Sequence, residues 1–276
     1  PHIHVDFHEQ GYQSPYYFAP AAEPYHEIVT DWQREFQQTI GENHMKTFDR
    51  EGWLYFTRER FDLFYPSYGD TWPTFHGAIG MTYEQAGHVG LTIQLAEGDS
   101  LTLLDRLTHH HATGLSTIET ASIHSERMIN EFESYFENAV TNPGGRFKTY
   151  VVKGDNDPDK LYRLLLSLDR FQIEYGRAGR DFREEGYNYF SGEMARLDVE
   201  ANDFLIPAAQ PQGNLVRVLF EPDPELSDSL TYDITAWEAH YRFGVEGFAL
   251  EKEHSPEEMV SAGEVKTSEY SGAREP

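Results

Sequence analysis

The chain has 276 residues, of which 39% are hydrophobic and 14% aromatic, so one large domain or two ordinary ones are possible and wholesale disorder is not expected. The 47 acidic and 22 basic residues give a formal charge of -25, so the surface repels nucleic acid and attracts cations. The simpler interpretation of this acidity is that it keeps the surface solvated; the other is that it captures metal ions. Cysteine is absent, so any metal must be held by His, Asp or Glu, and no apolar run reaches the roughly 18 residues of a membrane span.

Residues 2–8 alternate between polar and apolar side chains, which predicts a strand with a polar face made of His2, His4, Asp6 and His8. These four could form a metal cluster of their own, but same-face neighbours on a strand lie about 7 Å apart, so at most two could converge on one ion. His8 is the best candidate ligand because it ends the strand, and α/β proteins place their sites at the carboxyl edge of a sheet.

A loop rich in Tyr, Phe and Pro follows at 11–24, and then a helix is predicted at 27–40, ended by Gly41. A short strand at 53–57 leads to a second aromatic loop at 61–75. The sequence next predicts a buried strand at 77–83 whose glycines allow close backbone approach.

Residues 101–140 have a helical pattern, predicting one bent helix or two broken near Gly114. The run His109-His110-His111 falls inside it, and successive helical side chains point about 100° apart, so we expect a solvated helix face and no chelating group.

Asn142-Pro143-Gly144-Gly145 is the clearest break in the sequence and suggests a domain boundary. Beyond it we expect a small α/β unit: a strand at 147–152, a helix at 160–168 with Asp157 as N-cap, and strands at 171–175 and within 203–250. The predicted organisation is 1–142, 143–250 and an acidic, flexible tail at 251–276.

Two further positions carry candidate chemistry. Glu84 leaves an apolar strand into a turn bounded by Gly87, a shielded place where a carboxyl group has a raised pKa and can act as a general base. Tyr65, in Tyr65-Pro66-Ser67-Tyr68-Gly69, lies on a loop that could swing over a pocket and donate a phenol hydrogen bond. Each is equally compatible with an ordinary structural role.

Taken together, His8, Tyr65 and Glu84 resemble, in order and spacing, the zinc carboxypeptidases of the carboxypeptidase A type. The stretches 210–216 and 230–237 resemble the extra C-terminal sequence of a group of large exported bacterial members of that family. The resemblance implies that His8 is the third zinc ligand, that Tyr65 (or, less favoured, Tyr68) contacts substrate, and that Glu84 activates water. It also implies a Zn²⁺ cofactor, a peptide or protein substrate and a periplasmic or extracellular location. The fold would be the C-terminal half of an α/β/α carboxypeptidase domain followed by a smaller, strand-rich α/β domain.

One departure from the family pattern concerns the first two zinc ligands. They come from an upstream His-x-x-Glu motif, and the family's substrate-binding Arg and Asn-Arg residues also precede the third ligand. None of these lies in that order in this chain. Its His254-Ser255-Pro256-Glu257 lies in the predicted tail, where a Pro-containing segment cannot preorganise a site.

We therefore expect a fragment of a metallocarboxypeptidase, with the remaining ligands upstream of residue 1 and no activity on its own. The alternatives are a non-catalytic carboxypeptidase-like binding protein and a deacylase acting on small N-acyl amino acids.

Overall fold

The computed structural model describes residues 1–227, 231, 236–265 and 267 and confirms the α/β class. The chain divides into two compact units. The first unit comprises Pro1–Tyr135 and a later segment that begins at Glu225. The second comprises Phe136–Pro224 and the chain from Ala236 onwards.

The first unit combines a small mixed sheet with two long helices. Its elements in chain order are β1 (Ile3–Gly11), β2 (Tyr16–Tyr17), β3 (Ala22–Tyr25), α1 (Asp31–Glu51), β4 (Tyr55–Phe56), β5 (Asp62–Leu63), α2 (Thr71–Thr74), β6 (Ile79–Gly87), β7 (Thr92–Gln94), β8 (Ser100–Thr102), α3 (Leu103–Ile123) and the first part of α4 (Ser125–Thr141). The central sheet has the order β1-β6-β2-β4, with β1 and β6 parallel. Helices α1 and α3 pack against each other and against β6, which places β6 in the core.

Helix α1 continues ten residues past Gly41, so the predicted end there is wrong. Gly41 is needed for packing, because a Cβ at this position would lie 2.3 Å from the carbonyl oxygen of Ala19. The helix ends at Gly52, which adopts the left-handed conformation that favours glycine. Its start is fixed by a capping box between Thr30 and Gln33.

The helical stretch predicted at 101–140 forms two helices, which is one of the two predicted alternatives. They separate at His124, however, and not near Gly114. Gly114 lies within α3, where the nearest atom to an added Cβ belongs to the ring of Phe7, 3.6 Å away. The glycine therefore faces the sheet and does not interrupt the helix. A capping box between Thr102 and Asp105 starts α3.

The second unit is built on a seven-stranded antiparallel sheet with the order β12-β11-β14-β9-β13-β10-β15. Its elements are β9 (Thr149–Val152), α5 (Pro158–Arg170), β10 (Gly176–Arg177), β11 (Phe182–Asn188), β12 (Glu193–Val199), β13 (Phe204–Pro207), α6 (Gly213–Phe220), α7 (Ala239–Phe243), β14 (Gly247–Leu250), β15 (Glu258–Met259) and a short 3-10 helix, Ala262–Glu264. Asp157 caps α5 through the backbone N–H groups of Asp159 and Lys160, as the sequence predicts.

Two secondary-structure predictions for this unit need correction. The predicted strand at 171–175 is a loop in which Gln172 has a φ of 58°; its hydrophobic side chains Ile173 and Tyr175 are buried without strand pairing. The segment 203–250 contains α6 and α7 as well as β13 and β14. A hydrophobic run is compatible with either element, and tertiary packing decides between them.

Both predicted domain boundaries differ from those in the structure. The division falls inside α4, between Tyr135 and Phe136 and not after Asn142, because Tyr135 still donates a hydrogen bond to the carbonyl of Phe75 in the first unit. Residues 251–265 are part of the second unit, since β15 pairs with β10. The remainder of the predicted tail lies outside the described residues, apart from residue 267. No helix in the described part of the chain is long and apolar enough to cross a membrane.

Candidate functional site

The parallel pair β1 and β6 brings His8 and Glu84 side by side. Their Cα atoms are direct partners in the register, and Asp6 and Thr82 are partners two residues earlier. Because side chains alternate along a strand, these four residues point to the same side of the sheet. Two sequence-predicted site residues that are 76 positions apart therefore lie next to each other. Both lie within their strands, because the pairing of β1 with β6 continues for three more residues, to Gly11 and Gly87. The predictions that His8 ends a strand and that Glu84 enters a turn are therefore wrong.

His8 is held between two carboxylates. Its Nε2 lies 3.2 Å from Oδ2 of Asp6, and its Nδ1 lies 3.6 Å from Oε1 of Glu84. A carboxylate beside each ring nitrogen restricts the orientation of the imidazole. The imidazole is 56% exposed, so it is accessible from outside the sheet.

Glu84 is buried, and its Oε2 has no hydrogen-bond partner in the structure. Burial raises the pKa of the Glu84 carboxyl above its usual range; nearby Asp6 and Asp70 act in the same direction, whereas His8 lowers it. A buried carboxylate oxygen without a partner costs free energy and marks a group kept for a ligand or a proton.

Asp70 adds a third carboxyl group beside β6. One of its oxygens accepts from the N–H of Thr71 at the start of α2, and the other accepts from the hydroxyl of Thr82 at 2.9 Å. Burial raises the pKa of Asp70 to about 6 despite these hydrogen bonds, with Asp6 adding to the effect. Gly80 permits this approach, because a Cβ there would lie 1.8 Å from the carbonyl oxygen of Asp70. The expectation of close backbone approach is confirmed at Gly80.

A pocket of about 100 Å³ opens between these groups. Its lining consists of Asp6, His8, Phe61, Asp62, Tyr68, Gly69, Asp70, Thr82 and Glu84. Tyr68 lines the pocket, whereas Tyr65, the tyrosine favoured from sequence, does not. Tyr65 packs edge-on against the Tyr68 ring at 5.5 Å between centroids, and its carbonyl accepts from the hydroxyl of Thr71.

The described residues include no group of three or more His, Asp or Glu side chains arranged to hold a metal ion. Between β1 and β6 the chain offers one exposed imidazole, that of His8, and one buried carboxylate oxygen without a hydrogen-bond partner, that of Glu84. This donor set fits one histidine ligand beside a base.

The histidine run on α3 is not a uniformly solvated face, which corrects the sequence prediction. His109 hydrogen-bonds Oε1 of Gln85 at 2.8 Å, and His110 hydrogen-bonds the phenol of Tyr16 at 2.7 Å. His111 alone of the three is exposed.

His254 and Glu257 do not form a ligand pair. The His254 ring stacks on Phe182, and Glu257 lies near Arg180. Two larger surface grooves, about 570 and 670 Å³, contain none of the predicted site residues. The small pocket is the better candidate because titratable groups with perturbed pKa values converge on it.

Sequence reasoning missed Asp70, Thr82 and the role of Asp6 in this site. Asp6 carried a usable signal, since it shares the strand face of His8 two residues away. Asp70 carried a weaker one, as an acidic residue just before Thr71-Trp72-Pro73, a helix start signal. Nothing in the sequence placed that helix start beside Thr82.

Replacing Asp70 with asparagine is expected to flatten part of the pH dependence of stability. The pKa of Asp70 rises from 3.8 to about 6 on folding, so between pH 4 and 6 the folded protein binds more protons than the unfolded chain. Stability from this group is therefore lost as pH rises through that window, by about 3 kcal/mol for a shift of about two units. Urea unfolding of both proteins from pH 4 to 7 tests this. Parallel curves would contradict it, since Asn still caps α2 but does not titrate.

Comparison of the chain with protein-family models, with curated proteins and with solved structures gave no match.

Proposed function

We propose that this chain is part of a zinc-dependent metallocarboxypeptidase that hydrolyses C-terminal peptide bonds. The observation that carries the proposal is the pairing of His8 with Glu84 across two parallel strands, with Oε2 of Glu84 buried and without a hydrogen-bond partner. The site is the one that the sequence resemblance implies for a third zinc ligand beside a general base. The resemblance also favours a periplasmic or extracellular location.

In this proposal His8 would hold the metal, and Asp6, whose Oδ2 lies 3.2 Å from Nε2, would orient the imidazole. Zinc, when bound, supplies Lewis-acid polarisation of the scissile carbonyl and lowers the pKa of water towards about 7. The remaining ligands and the substrate-binding arginines are assigned to sequence upstream of residue 1. The chain alone is then expected to be inactive, because one ligand of three does not retain zinc.

Glu84 acts as the general base. It takes a proton from the attacking water and transfers that proton to the leaving amine as the peptide C–N bond breaks. Its raised pKa brings the carboxyl group nearer to the pH at which both transfers are efficient. Burial beside β2, where Tyr17 pairs with Glu84 in the register, keeps bulk water away from the carboxylate.

Tyr68 is the better placed of the two candidate tyrosines, because it lines the pocket with His8 and Glu84. We assign it the contact with substrate in the present conformation. Tyr65 lies behind it on the same loop and would need the loop to move before it reached the pocket.

A second candidate is a binding protein that keeps this fold without catalysis. The lack of a three-ligand metal group among the described residues is compatible with this candidate as well. The two candidates differ in whether the full-length protein completes the zinc site.

The test is zinc content and release of C-terminal amino acids from peptides by the full-length protein. We expect one zinc per chain, and His8→Ala should weaken zinc binding by more than about 100-fold, above the effect typical of outer-shell residues. His4→Ala is the matched control, since His4 lies on the same strand face but outside the pocket. A folded protein that binds no zinc and cleaves no peptide would replace the enzyme proposal with the binding-protein alternative.

A further inference from the structure

Helix α3 has its polar residues inside and its large apolar residues outside. The side chains that it buries against the rest of the first unit are Arg106, Thr113, Ser116, Thr117 and Thr120. The hydroxyl groups among them are hydrogen-bonded, for example that of Thr117 with the phenol of Tyr83 at 2.7 Å. A surface helix normally shows the opposite arrangement, with apolar side chains facing the core. The fold of this unit therefore does not account for the outer face of α3.

The outer face carries one stripe of five residues, which we call the α3 stripe. Its members are Leu104, Leu107, His111, Leu115 and Ile118, all of them exposed. The four apolar side chains are 71%, 58%, 55% and 67% exposed, in chain order. Spacings of three and four residues place all five on one face of the helix, as in a coiled-coil seam. The stripe contains no carboxylate, lysine or arginine, although the chain has a formal charge of -25.

The α3 stripe is symmetric about His111. Leu107 and Leu115 lie four residues to either side of it, and Leu104 and Ile118 lie seven residues to either side. In a second copy of α3 that runs in the opposite direction, each apolar residue would meet the one at the same distance on the other side, and His111 would meet its own counterpart. A two-fold dimer interface requires a patch that is complementary to itself in this way. The symmetry therefore favours a second copy of the chain over an unrelated partner.

The apolar surface is large enough for a stable dimer. Beside the amino end of α3, Val89 is fully exposed and Leu91 is 74% exposed, and the carbonyl of Leu91 accepts from the N–H of Leu103. With the four apolar residues of the stripe they present on the order of 500 Å² of apolar surface, at roughly 120 Å² for a fully exposed aliphatic side chain. A standard interface buries about 800 Å² per partner, and little more than half of it is apolar. The surface thus matches one side of a standard interface.

The acidic residues that adjoin the ends of the stripe are engaged within the chain. Glu119, next to Ile118, accepts from Nδ2 of Asn43 on α1 at 3.0 Å. Asp105, next to Leu104, accepts from the N–H and the hydroxyl of the N-cap residue Thr102. Two copies can therefore approach stripe to stripe without placing these carboxylates between them, whereas acidic surface elsewhere repels a second copy.

We propose that the α3 stripe is a homodimer interface, in which two copies of the chain pair their α3 helices antiparallel about a two-fold axis at His111. Antiparallel pairing places the positive end of each helix dipole beside the negative end of the other, and one polar residue in an apolar seam fixes the register. The groove of about 670 Å³ between α1 and α3, next to His111 and Leu115, leaves space beside the seam for the second helix. The inference does not depend on the proposed function.

The first test is sedimentation velocity of the full-length protein over a concentration series, in which we expect a dimer. Leu107→Glu and Leu115→Glu should each weaken dimerisation by at least about 100-fold, because each substitution occurs twice in the dimer and places a charge in an apolar seam.

The matched control is Ile129→Glu, which should leave dimerisation unchanged. Ile129 lies on α4, outside the stripe, and is 53% exposed, close to the 55% of Leu115. A full-length protein that stays monomeric at every concentration would overturn the inference, and the stripe would then be covered by another part of the protein or by a different partner. A dimer that tolerates both stripe substitutions would overturn it as well.

Disulfide cross-linking tests the direction of the pairing. The chain contains no cysteine, so an introduced one is the only thiol that it contributes. On oxidation, His111→Cys is expected to cross-link with its own counterpart at the two-fold axis. Leu104→Cys alone should not, because the two copies of that residue would lie about 21 Å apart along the antiparallel helices, beyond the reach of a disulfide. A mixture of Leu104→Cys and Ile118→Cys chains should cross-link. Failure of His111→Cys to cross-link, or self-cross-linking of Leu104→Cys, which indicates parallel helices, would contradict the proposed dimer.

Discussion

Glu84→Gln is expected to lower kcat of the full-length, zinc-loaded protein by about 10²–10⁴-fold, the range that general acid–base groups contribute. Glutamine has nearly the same shape but cannot take a proton from water. Because Glu84 is assigned as the base and not as a ligand, zinc content should not change. The measurement is steady-state hydrolysis together with metal analysis of the same samples.

The pH profile provides a second observable for the same change. Burial raises the pKa of Glu84, so the acidic limb of kcat/KM should lie above the usual range of a glutamate and should vanish in the variant. Glu9→Gln is the matched control, since Glu9 is the next residue after His8 on β1 and its side chain is 57% exposed. Loss of zinc in Glu84→Gln, or activity equal to that of Glu9→Gln, would contradict the assigned role.

The strand elements of this site were predictable from local pattern. Strict alternation at residues 2–8 is a sufficient signal for β1, and an apolar run with permissive glycines is sufficient for β6. Their parallel pairing in the register that joins His8 to Glu84 is a long-range property that periodicity does not encode. The sequence resemblance, and not the pattern, indicated that these two residues belong together.

What could not be predicted depends on contacts between distant segments. Gly41 looked like a helix end, because a glycine that serves close packing against Ala19 has the same sequence appearance as a C-cap. His109 and His110 looked solvated, because the helical period shows which residues share a face but not which face meets the sheet. Asp70 reaches Thr82 through tertiary structure alone.

In the second unit, Asp203→Ala is expected to lower the free energy of unfolding by about 3–5 kcal/mol, the cost of breaking a buried ion pair. Asp203 is fully buried and accepts from Nζ of Lys153 at 2.7 Å and from the N–H groups of Gly154 and Glu200, each at 2.8 Å. Removing the carboxylate leaves a largely buried ammonium group and two backbone donors without this acceptor. Urea unfolding, with hydrogen exchange of the β9 and β13 amides, measures the loss.

An exposed ion pair in the same sheet provides the control. Arg183 and Asp198 face each other across β11 and β12, and both side chains are 66% exposed, so Asp198→Ala should change stability by less than about 1 kcal/mol. Lys153→Met in the Asp203→Ala background should recover part of the loss. The largely buried charge, left with only the Glu200 carboxylate 3.8 Å away, is then gone, while the two backbone donors remain unpaired. A loss below about 1 kcal/mol for Asp203→Ala would mean that solvent reaches Lys153 in the native state, and the ion pair would then rank with the surface pairs.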